Sequence, residues 1–220
     1  LETALGQIAA NATLKTPSGK EIAYSGYFKT VGFNIGSLVE SPQVGEVSLD
    51  ARIEGSGATV KTLNAKVEGR IQAVRYNHYV YHAIDVNGTF RNRLFNGTLS
   101  SADSNANFHF TGKADLSKKI PEMNADIAIY RLDMYKCHLL RDDSISVLSA
   151  MISANITGES IDDINGSVQA NKVKLVRSNG VIQMDNTDIQ IIQNENSNTL
   201  SMISSVLDAE VSGRFTASTL

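Results

Sequence analysis

Apolar and polar residues alternate one by one through most of this chain. The alternation runs through residues 47–57 and 63–73 and returns at 80–90, 108–116, 123–129, 150–158, 164–170 and 207–217. Successive side chains of a β-strand point to opposite faces, so this period of two predicts strands with one apolar face and one polar face. Strands that are buried on both faces have continuous apolar runs instead. We therefore expect an antiparallel sheet.

Glycine recurs two positions after an aliphatic residue or phenylalanine, in step with the apolar side chains of the same strand. The glycines of this motif are Gly55, Gly69, Gly88, Gly97, Gly112, Gly158, Gly166 and Gly213. A glycine on the apolar face lets a strand bend or lets another chain approach, because it has no side chain. The irregular intervals between the motifs exclude a solenoid of fixed period. The motif predicts a meander of hairpins that bends at these glycines.

Only a few segments depart from the alternation. Residues 33–40 fit one or two helical turns, and residues 131–141 have helical spacing after a strand. Residues 198–207 fit a helix and a strand equally well. No linker or block of charge divides the chain, so we expect residues 1–220 to form one continuous, mainly β segment with one or two short helices.

The composition excludes several classes of protein. A hydrophobic content of 42% and a charged content of 20% are ordinary for a globular chain. The net charge of −3 gives no basic surface for nucleic acid. The longest apolar run, from Ile127 to Tyr130, is far shorter than the ~20 residues of a transmembrane helix. The single cysteine excludes an internal disulfide and a cysteine-based zinc site.

No group of residues in the sequence indicates catalysis. The motifs of serine hydrolases, phosphate-binding loops and zinc-binding helices are missing. In a strand, His78 and His82 lie ~13 Å apart, which is too far for one metal ion. Cys137 is expected to be a buried structural cysteine, since no partner base is evident. We expect a protein that is not an enzyme and that has no metal site and no cofactor.

The central part of the chain carries the motifs of a known family. They are Val86-Asn87-Gly88, then Phe95-Asn96-Gly97-Thr98-Leu99, then Asp103-Ser104-Asn105, and then the strand from Phe108 through Phe110 and Gly112 to Asp115-Leu116. This order of strands and turns resembles the TamB and AsmA-like family of translocation and assembly module proteins. The resemblance covers roughly residues 20–217. It is a likeness of repeated strand motifs.

The resemblance implies an architecture and a location. Members of this family are long chains that are anchored in the inner membrane and cross the periplasm. Their strands form a sheet that curls into an open, U-shaped trough with an apolar interior. On this basis the chain is expected to be a middle or C-terminal-side segment of a longer repetitive protein, located in the periplasm or cell envelope, whose anchor lies outside the segment.

The resemblance also implies a function without catalysis. The trough is expected to conduct phospholipids between the inner and outer membranes, to assist the assembly of outer-membrane proteins, or both. Phospholipid acyl chains are then the expected ligands, and an outer-membrane β-barrel is a further expected partner. The alternative is a structural or adhesive β-rich envelope domain that has a closed core and transports no lipid.

The inward residues follow from the alternation, because an apolar sheet face must be covered. The expected groove lining is Leu49, Ile53, Val67, Ile71, Ile84, Val86, Phe90, Phe110, Ile127, Ile156, Val168, Val211 and Phe215. The sequence shows no polar site for a lipid head group. Open sheet edges would also let an isolated segment associate with itself.

Overall fold

The computed structural model describes residues 2–16, 21–36, 42–57, 62–140, 143–158, 163–193 and 197–214. Within these ranges it contains fifteen β-strands and no complete helix. The strands are β1 (Glu2–Thr3), β2 (Gly6–Lys15), β3 (Ala23–Asn34), β4 (Val44–Ser56), β5 (Asn64–Tyr76), β6 (Tyr79–Arg91), β7 (Leu94–Ala102), β8 (Ala106–Asp115), β9 (Glu122–Asp133), β10 (Ser146–Thr157), β11 (Asn165–Arg177), β12 (Gly180–Met184), β13 (Thr187–Gln193), β14 (Asn198–Ile203) and β15 (Asp208–Gly213).

The strands form one open antiparallel sheet. Fourteen of them follow one another in the sheet in chain order, and β12 lies off this path as a second partner of β11. Each hairpin therefore pairs segments that are neighbours in the sequence. The prediction of a mainly β, antiparallel meander is confirmed.

Short hairpins connect several of the strands. The turn between β5 and β6 consists of Asn77 and His78, whose φ angles are 47° and 66°, and the turn between β6 and β7 consists of Asn92 and Arg93, with φ angles of 45° and 64°. A two-residue turn with both φ angles positive matches the right-handed twist of the flanking strands. Asparagine adopts this conformation more readily than most residues.

The helix predicted over residues 131–141 is wrong for the part that the structure describes. Strand β9 continues to Asp133, and residues 134–138 form a compact turn. In this turn the backbone N–H of Cys137 donates to the carbonyl of Asp133 at 2.9 Å. The apolar spacing of the segment reflects side chains of a turn rather than one face of a helix.

The other two departures from the alternation have different outcomes. Residues 198–207, which fit both structures, begin with strand β14. Of the helical segment predicted at 33–40, Phe33 and Asn34 belong to β3 and Gly36 is helical. Residues 37–40 lie outside the described part of the chain.

The two faces of the sheet differ in polarity. In β6, Ile84 and Val86 are buried, whereas Asp85 and Asn87 are exposed. Opposite charges stand across from one another on the exposed face, as in the ion pair between Arg70 Nη1 and Asp85 Oδ1 at 3.6 Å. An exposed pair of this kind contributes less than about 1 kcal/mol. It favours the correct register more than it adds stability.

Irregularities of pairing lie close together in neighbouring strands. The register shifts by one residue between β3 and β4, β4 and β5, β8 and β9, β9 and β10, and β10 and β11. Along the same line, φ is 58° at Gly32, 52° at Ala83, 51° at Lys172 and 51° at Asn186. A β-bulge bends its strand and increases the local twist. We call this feature the bulge line.

The apolar face continues across the bulge line. Strands β4 and β10 have no extra residue at the crossing, so Val47 stays on the face of Leu49 and Leu148 stays on the face of Ala150. The paired residues beyond the line form a further apolar row, which consists of Phe33, Val47, Val74, Tyr81, Ala106, Leu132, Leu148, Leu175 and Ile182.

Asp143 connects the ends of β10, β11 and β12, on the side of the bulge line where Leu148 lies. Its carboxylate accepts from Arg177 Nε at 2.9 Å and from the backbone N–H groups of Ile145 at 3.0 Å and Ser178 at 3.3 Å. The hydrogen bond from Arg177 is the main cause that lowers the pKa of Asp143 to about 2. The carboxylate therefore stabilises the fold only while it is ionised.

Alanine at Gly97 should destabilise the sheet. An added Cβ would overlap the backbone of Asn87 and Gly88 on strand β6, and Gly97 has a φ of 156°. We expect Gly97→Ala to lower the free energy of unfolding by about 2–3 kcal/mol, measured by urea denaturation. Gly45→Ala is the control: its Cβ would meet only the flexible side chain of Arg75, at 2.9 Å, and should cost less than about 1 kcal/mol. Equal effects would refute a special role for Gly97.

Acid should weaken the fold through Asp143. The pKa of Asp143 is about 2 in the folded chain, and an unfolded aspartate has a pKa of about 3.9. The folded pKa is the lower one, so the stabilisation is present above pH 4 and is lost as the pH falls towards 2. Urea denaturation between pH 5 and pH 2 should show this loss. The loss should be smaller in Asp143→Asn, and an unchanged pH dependence in that variant would contradict the assignment.

Candidate functional site

Residues that pair across the strands form four parallel rows on one face of the sheet, named here after one member each. The Phe95 row contains Leu14, Tyr24, Gly55, Ala65, Phe90, Phe95, Ala114, Met123, Ile156, Gly166, Ile191, Leu200 and Val211. The Gly97 row contains Ala12, Gly26, Ile53, Val67, Gly88, Gly97, Gly112, Ala125, Ala154, Val168, Ile189, Met202 and Ala209.

The other two rows lie nearer to the bulge line. The Leu99 row contains Ala10, Phe28, Ala51, Gly69, Val86, Leu99, Phe110, Ile127, Ile152, Ala170 and Thr187. The Ile84 row contains Ile8, Thr30, Leu49, Ile71, Ile84, Ser101, Phe108, Ile129 and Ala150. Only two hydroxyl residues, Thr30 and Ser101, interrupt the Ile84 row.

The registers place almost all residues of the expected groove lining in these rows. They are Leu49, Ile53, Val67, Ile71, Ile84, Val86, Phe90, Phe110, Ile127, Ile156, Val168 and Val211. Val211 is 39% exposed at the edge of the sheet. The last expected residue, Phe215, lies outside the described residues. The rows also contain Phe95, Leu99 and Ile129, which share the same alternation but were not among the expected lining.

The glycines of the repeated motif are concentrated at the centre of the apolar face. Gly88, Gly97 and Gly112 are direct cross-strand partners in the Gly97 row. Gly55, Gly69 and Gly166 lie in the adjacent rows, Gly158 follows β10, and Gly213 ends β15. At Gly112 an added Cβ would overlap the backbone of Asn124 on β9. Gly112 and Gly97 therefore require glycine because the neighbouring strand approaches closely there, whereas a Cβ at Gly213 would meet no atom within 4 Å.

Aromatic rings lie across the central glycines. The ring of Phe95 covers Gly88, where a Cβ would come within 2.7 Å of that ring. The ring centroids of Phe90 and Phe95 are 4.8 Å apart, and those of Phe95 and Phe110 are 6.0 Å apart. Phe95 and Phe110 belong to rows on opposite sides of the Gly97 row. The glycines thus allow the rings of two rows to meet above them.

The apolar face is large and mostly half-buried. Val86 is 5% exposed and Ala51 is 2% exposed near the middle, whereas Leu14 on β2 is 67% exposed. Four rows two residues apart span about 20 Å along the strands, and the two longest rows cross thirteen strands, about 58 Å. An apolar surface of this extent exceeds what proteins usually leave in contact with water.

The opposite face is polar and carries His109. His109 lies between Ser100 Oγ, which is 2.7 Å from Nδ1, and Thr111 Oγ1, which is 3.0 Å from Nε2. All three side chains stand on two neighbouring strands, with no carboxylate hydrogen bonded to the imidazole in the described contacts. Among the residues that the structure describes, no group of three or more potential metal ligands occurs.

A polar cluster, which we call the Asp103 cluster, lies where β7 and β8 end and their neighbours β6 and β9 continue. Strands β7 and β8 stop near the bulge line, and residues 134–140 fill the gap that they leave between β6 and β9. The carboxylate of Asp103 accepts from the hydroxyl of Tyr79 at 2.7 Å and from the backbone N–H of His82 at 3.0 Å. The amide of Asn105 donates to the same hydroxyl at 3.1 Å.

Cys137 is the buried end of this turn. It is completely buried, and its thiol donates to the carbonyl of Asn105 at 3.5 Å. Burial is the main cause that raises the pKa of Cys137 to about 11, and the carboxylates of Asp103 and Asp133 act in the same direction. A protonated thiol is a poor nucleophile. The expected burial of Cys137 is confirmed.

The ionisable neighbours of Cys137 also keep a single protonation state. Burial is the main cause that raises the pKa of Tyr79 to about 12 and that of Tyr81 to about 12, so both hydroxyls keep their protons. Burial alone would raise the pKa of Asp103, but its hydrogen bonds from Asn105, Tyr79, His82 and Ala106 outweigh this effect and lower it. These protonation states suit a structural role of the cluster rather than acid–base chemistry. The motif Asp103-Ser104-Asn105 indicated a turn in the sequence but not its contacts with Tyr79 and Cys137.

Comparisons with models of protein families, with curated proteins and with solved structures found no match to this chain. The resemblance to the TamB and AsmA-like family rests on the sequence motifs quoted above. Within the described residues, no helix is both long and apolar enough to cross a membrane.

Alkylation should report the integrity of the Asp103 cluster. Cys137 is the only cysteine in the chain, and burial together with its raised pKa should slow its reaction with iodoacetamide at pH 8 about 100-fold relative to the urea-unfolded chain. Mass spectrometry measures both rates. Tyr79→Phe removes the hydroxyl between Asp103 and Asn105 and should speed the native reaction. Tyr130→Phe, at an exposed position, should not. Native and unfolded rates that agree would contradict this account.

Proposed function

We propose that this chain is a non-enzymatic lipid-conducting segment whose apolar sheet face carries phospholipid acyl chains. The observation that carries the proposal is the continuity of the four rows from β2 to β10 and, for two of them, on to β15. Each strand adds the same apolar positions in register with the last. A ligand can move from strand to strand on such a surface without meeting a charged side chain.

The dimensions of the face suit an acyl chain. One leaflet of a bilayer has a hydrocarbon thickness of about 15 Å. The four rows span about 20 Å along the strands, so a chain of that length fits within the width of the face. The length of about 58 Å across the strands is several times larger, as a path for movement requires.

The bulge line supports a trough rather than a flat sheet. Bulges that lie side by side bend neighbouring strands in one direction. A bend that repeats at the same level in β3–β6 and β8–β11 would fold the apolar row beyond the line, which includes Val47 and Leu148, towards the four rows. The U-shaped trough of the proposal follows from this bend. The proposal includes one short helix, in the segment 33–40 that contains the helical Gly36.

The setting of the proposal comes from the resemblance to the TamB and AsmA-like family. We propose that the chain is one continuous segment of a longer envelope protein, that it acts in the periplasm, and that the membrane anchor lies elsewhere in the longer chain. An outer-membrane β-barrel is the proposed protein partner. Self-association through the sheet edges at β1 and β15 is proposed for the isolated segment.

Photocrosslinking can test which face contacts lipid. A benzoylphenylalanine residue is placed at Val86, on the apolar face, or at Asn87, the next residue on the polar face. The purified chain is illuminated with vesicles of phosphatidylethanolamine and phosphatidylglycerol and analysed by mass spectrometry. Lipid adducts are expected at Val86 and not at Asn87. Equal adducts at both positions, or none at any inward position, would sink the proposal, and none at all would favour a closed core.

A charge on the apolar face should weaken lipid binding. Leu99→Asp places a carboxylate in the Leu99 row, and an unpaired charge is costly to bury beside acyl chains. We expect about tenfold less bound lipid, because a loss of only 1.4 kcal/mol gives that factor. Thr98→Asp puts the same charge on the polar face of the same strand and should leave the bound lipid unchanged. A circular dichroism spectrum shows whether each variant is folded.

A further inference from the structure

Strand β12 forms a short additional edge of the sheet, separate from the edge strands β1 and β15. Strand β11 pairs with β13 through Gly166–Ala170 and with β12 through Val173–Arg177. Strand β14 pairs with β13 and stops at Ile203, opposite Asp188. In the described part of the chain, β12 therefore has a strand partner on one side only.

The free side of β12 presents backbone hydrogen-bonding groups. A two-residue turn, Ser178 and Asn179, closes the β11–β12 hairpin, so Arg177 and Gly180 form its first hydrogen-bonded pair. Hydrogen-bonded and non-hydrogen-bonded pairs alternate in an antiparallel hairpin. Val181 and Gln183 consequently direct their N–H and C=O groups away from β11.

Large apolar side chains are exposed around the same edge. Val181 is 55% exposed and Ile182 is 48% exposed. The turn after β14 carries Val206 and Leu207, which are 69% and 54% exposed. This turn lies next to β12, because the backbone N–H of Asp185 donates to Ser205 Oγ at 3.1 Å.

We propose that the β12 edge is a docking site for an extended polypeptide segment of a partner protein, which adds to the sheet as an antiparallel strand. Main-chain hydrogen bonds to Val181 and Gln183 would provide the pairing. The exposed side chains of Val181, Ile182, Val206 and Leu207 would select a segment with apolar residues at alternate positions. An exposed apolar edge is the feature that such additions use.

The small size of the edge determines the kind of partner. Strand β12 has five residues, which is about 17 Å of strand. Two folded copies joined here would bury far less than the ~800 Å² per partner of a stable interface. A flexible segment can instead follow β12 and also cover the apolar turn. This inference does not depend on lipid transport.

A synthetic peptide can test the site on the intact chain. The probe is a fluorescein-labelled octapeptide of alternating threonine and valine with a lysine at each end, and binding is followed by fluorescence polarisation. Val181→Pro removes an N–H that does not pair with β11, and proline is tolerated where the N–H faces solvent. We expect about tenfold weaker binding, the effect of one lost hydrogen bond of about 1.4 kcal/mol. Val181→Thr keeps the N–H and should bind nearly as well as the unaltered chain.

Further measurements keep the outcome interpretable. The same peptide with N-methyl groups on its two central residues has lost an N–H on each of its own two edges. It should therefore not pair with β12 and should not bind. Bound peptide should slow hydrogen exchange at the amides of Val181 and Gln183 in the unaltered chain, a readout that needs no variant. Absence of binding, or equal binding by Val181→Pro that remains folded, would overturn the proposal. A dimer in light scattering that Val181→Pro abolishes, without peptide binding, would overturn it in favour of a second copy.

Discussion

Cross-strand register is the constraint on which the rest of this structure depends. Each apolar side chain packs beside its partner on the next strand, so one face becomes apolar only if every hairpin keeps its pairing. A slip of one residue would turn the apolar residues of that strand towards the polar face. Opposite charges such as Arg70 and Asp85 make such a slip unfavourable on the other face. Short turns with asparagine, such as Asn77-His78, fix the register at the hairpin ends.

Two local devices modify this regular pattern. The glycines at 88, 97 and 112 bring neighbouring backbones close together and make room for the ring of Phe95. The bulge line changes the direction of the strands without interrupting the apolar face. Where β7 and β8 end, the turn that contains Cys137 takes the place of a longer hairpin. Its contact with the end of these strands is the hydrogen bond from the Cys137 thiol to the carbonyl of Asn105. The proposed lipid path and its curvature therefore depend on different sets of residues.

The alternation of the sequence predicted the strands and the apolar face because both follow from a period of two. It could not predict the bulge line, since the extra residues at positions such as Gln72 and Lys172 appear only when two strands are aligned. The helix expected at 131–141 failed because the apolar residues of a compact turn have the same spacing as a helix face. The Asp103 cluster was missed because it joins the first residue of β6 to two separate turns, and only the paired strands bring Tyr79, Asp103 and Cys137 together.

The chain-order arrangement of the sheet has a consequence for how the length of such a protein can change. Apart from β12, each strand pairs only with its neighbours along the chain, so a hairpin inserted between two others needs only to match their register. Each added hairpin would lengthen the apolar face by two strand spacings, about 9.6 Å, and leave the remaining pairs as they are. Gene duplication of one hairpin could therefore adjust the reach of the molecule in steps of about 1 nm, without redesign of a core.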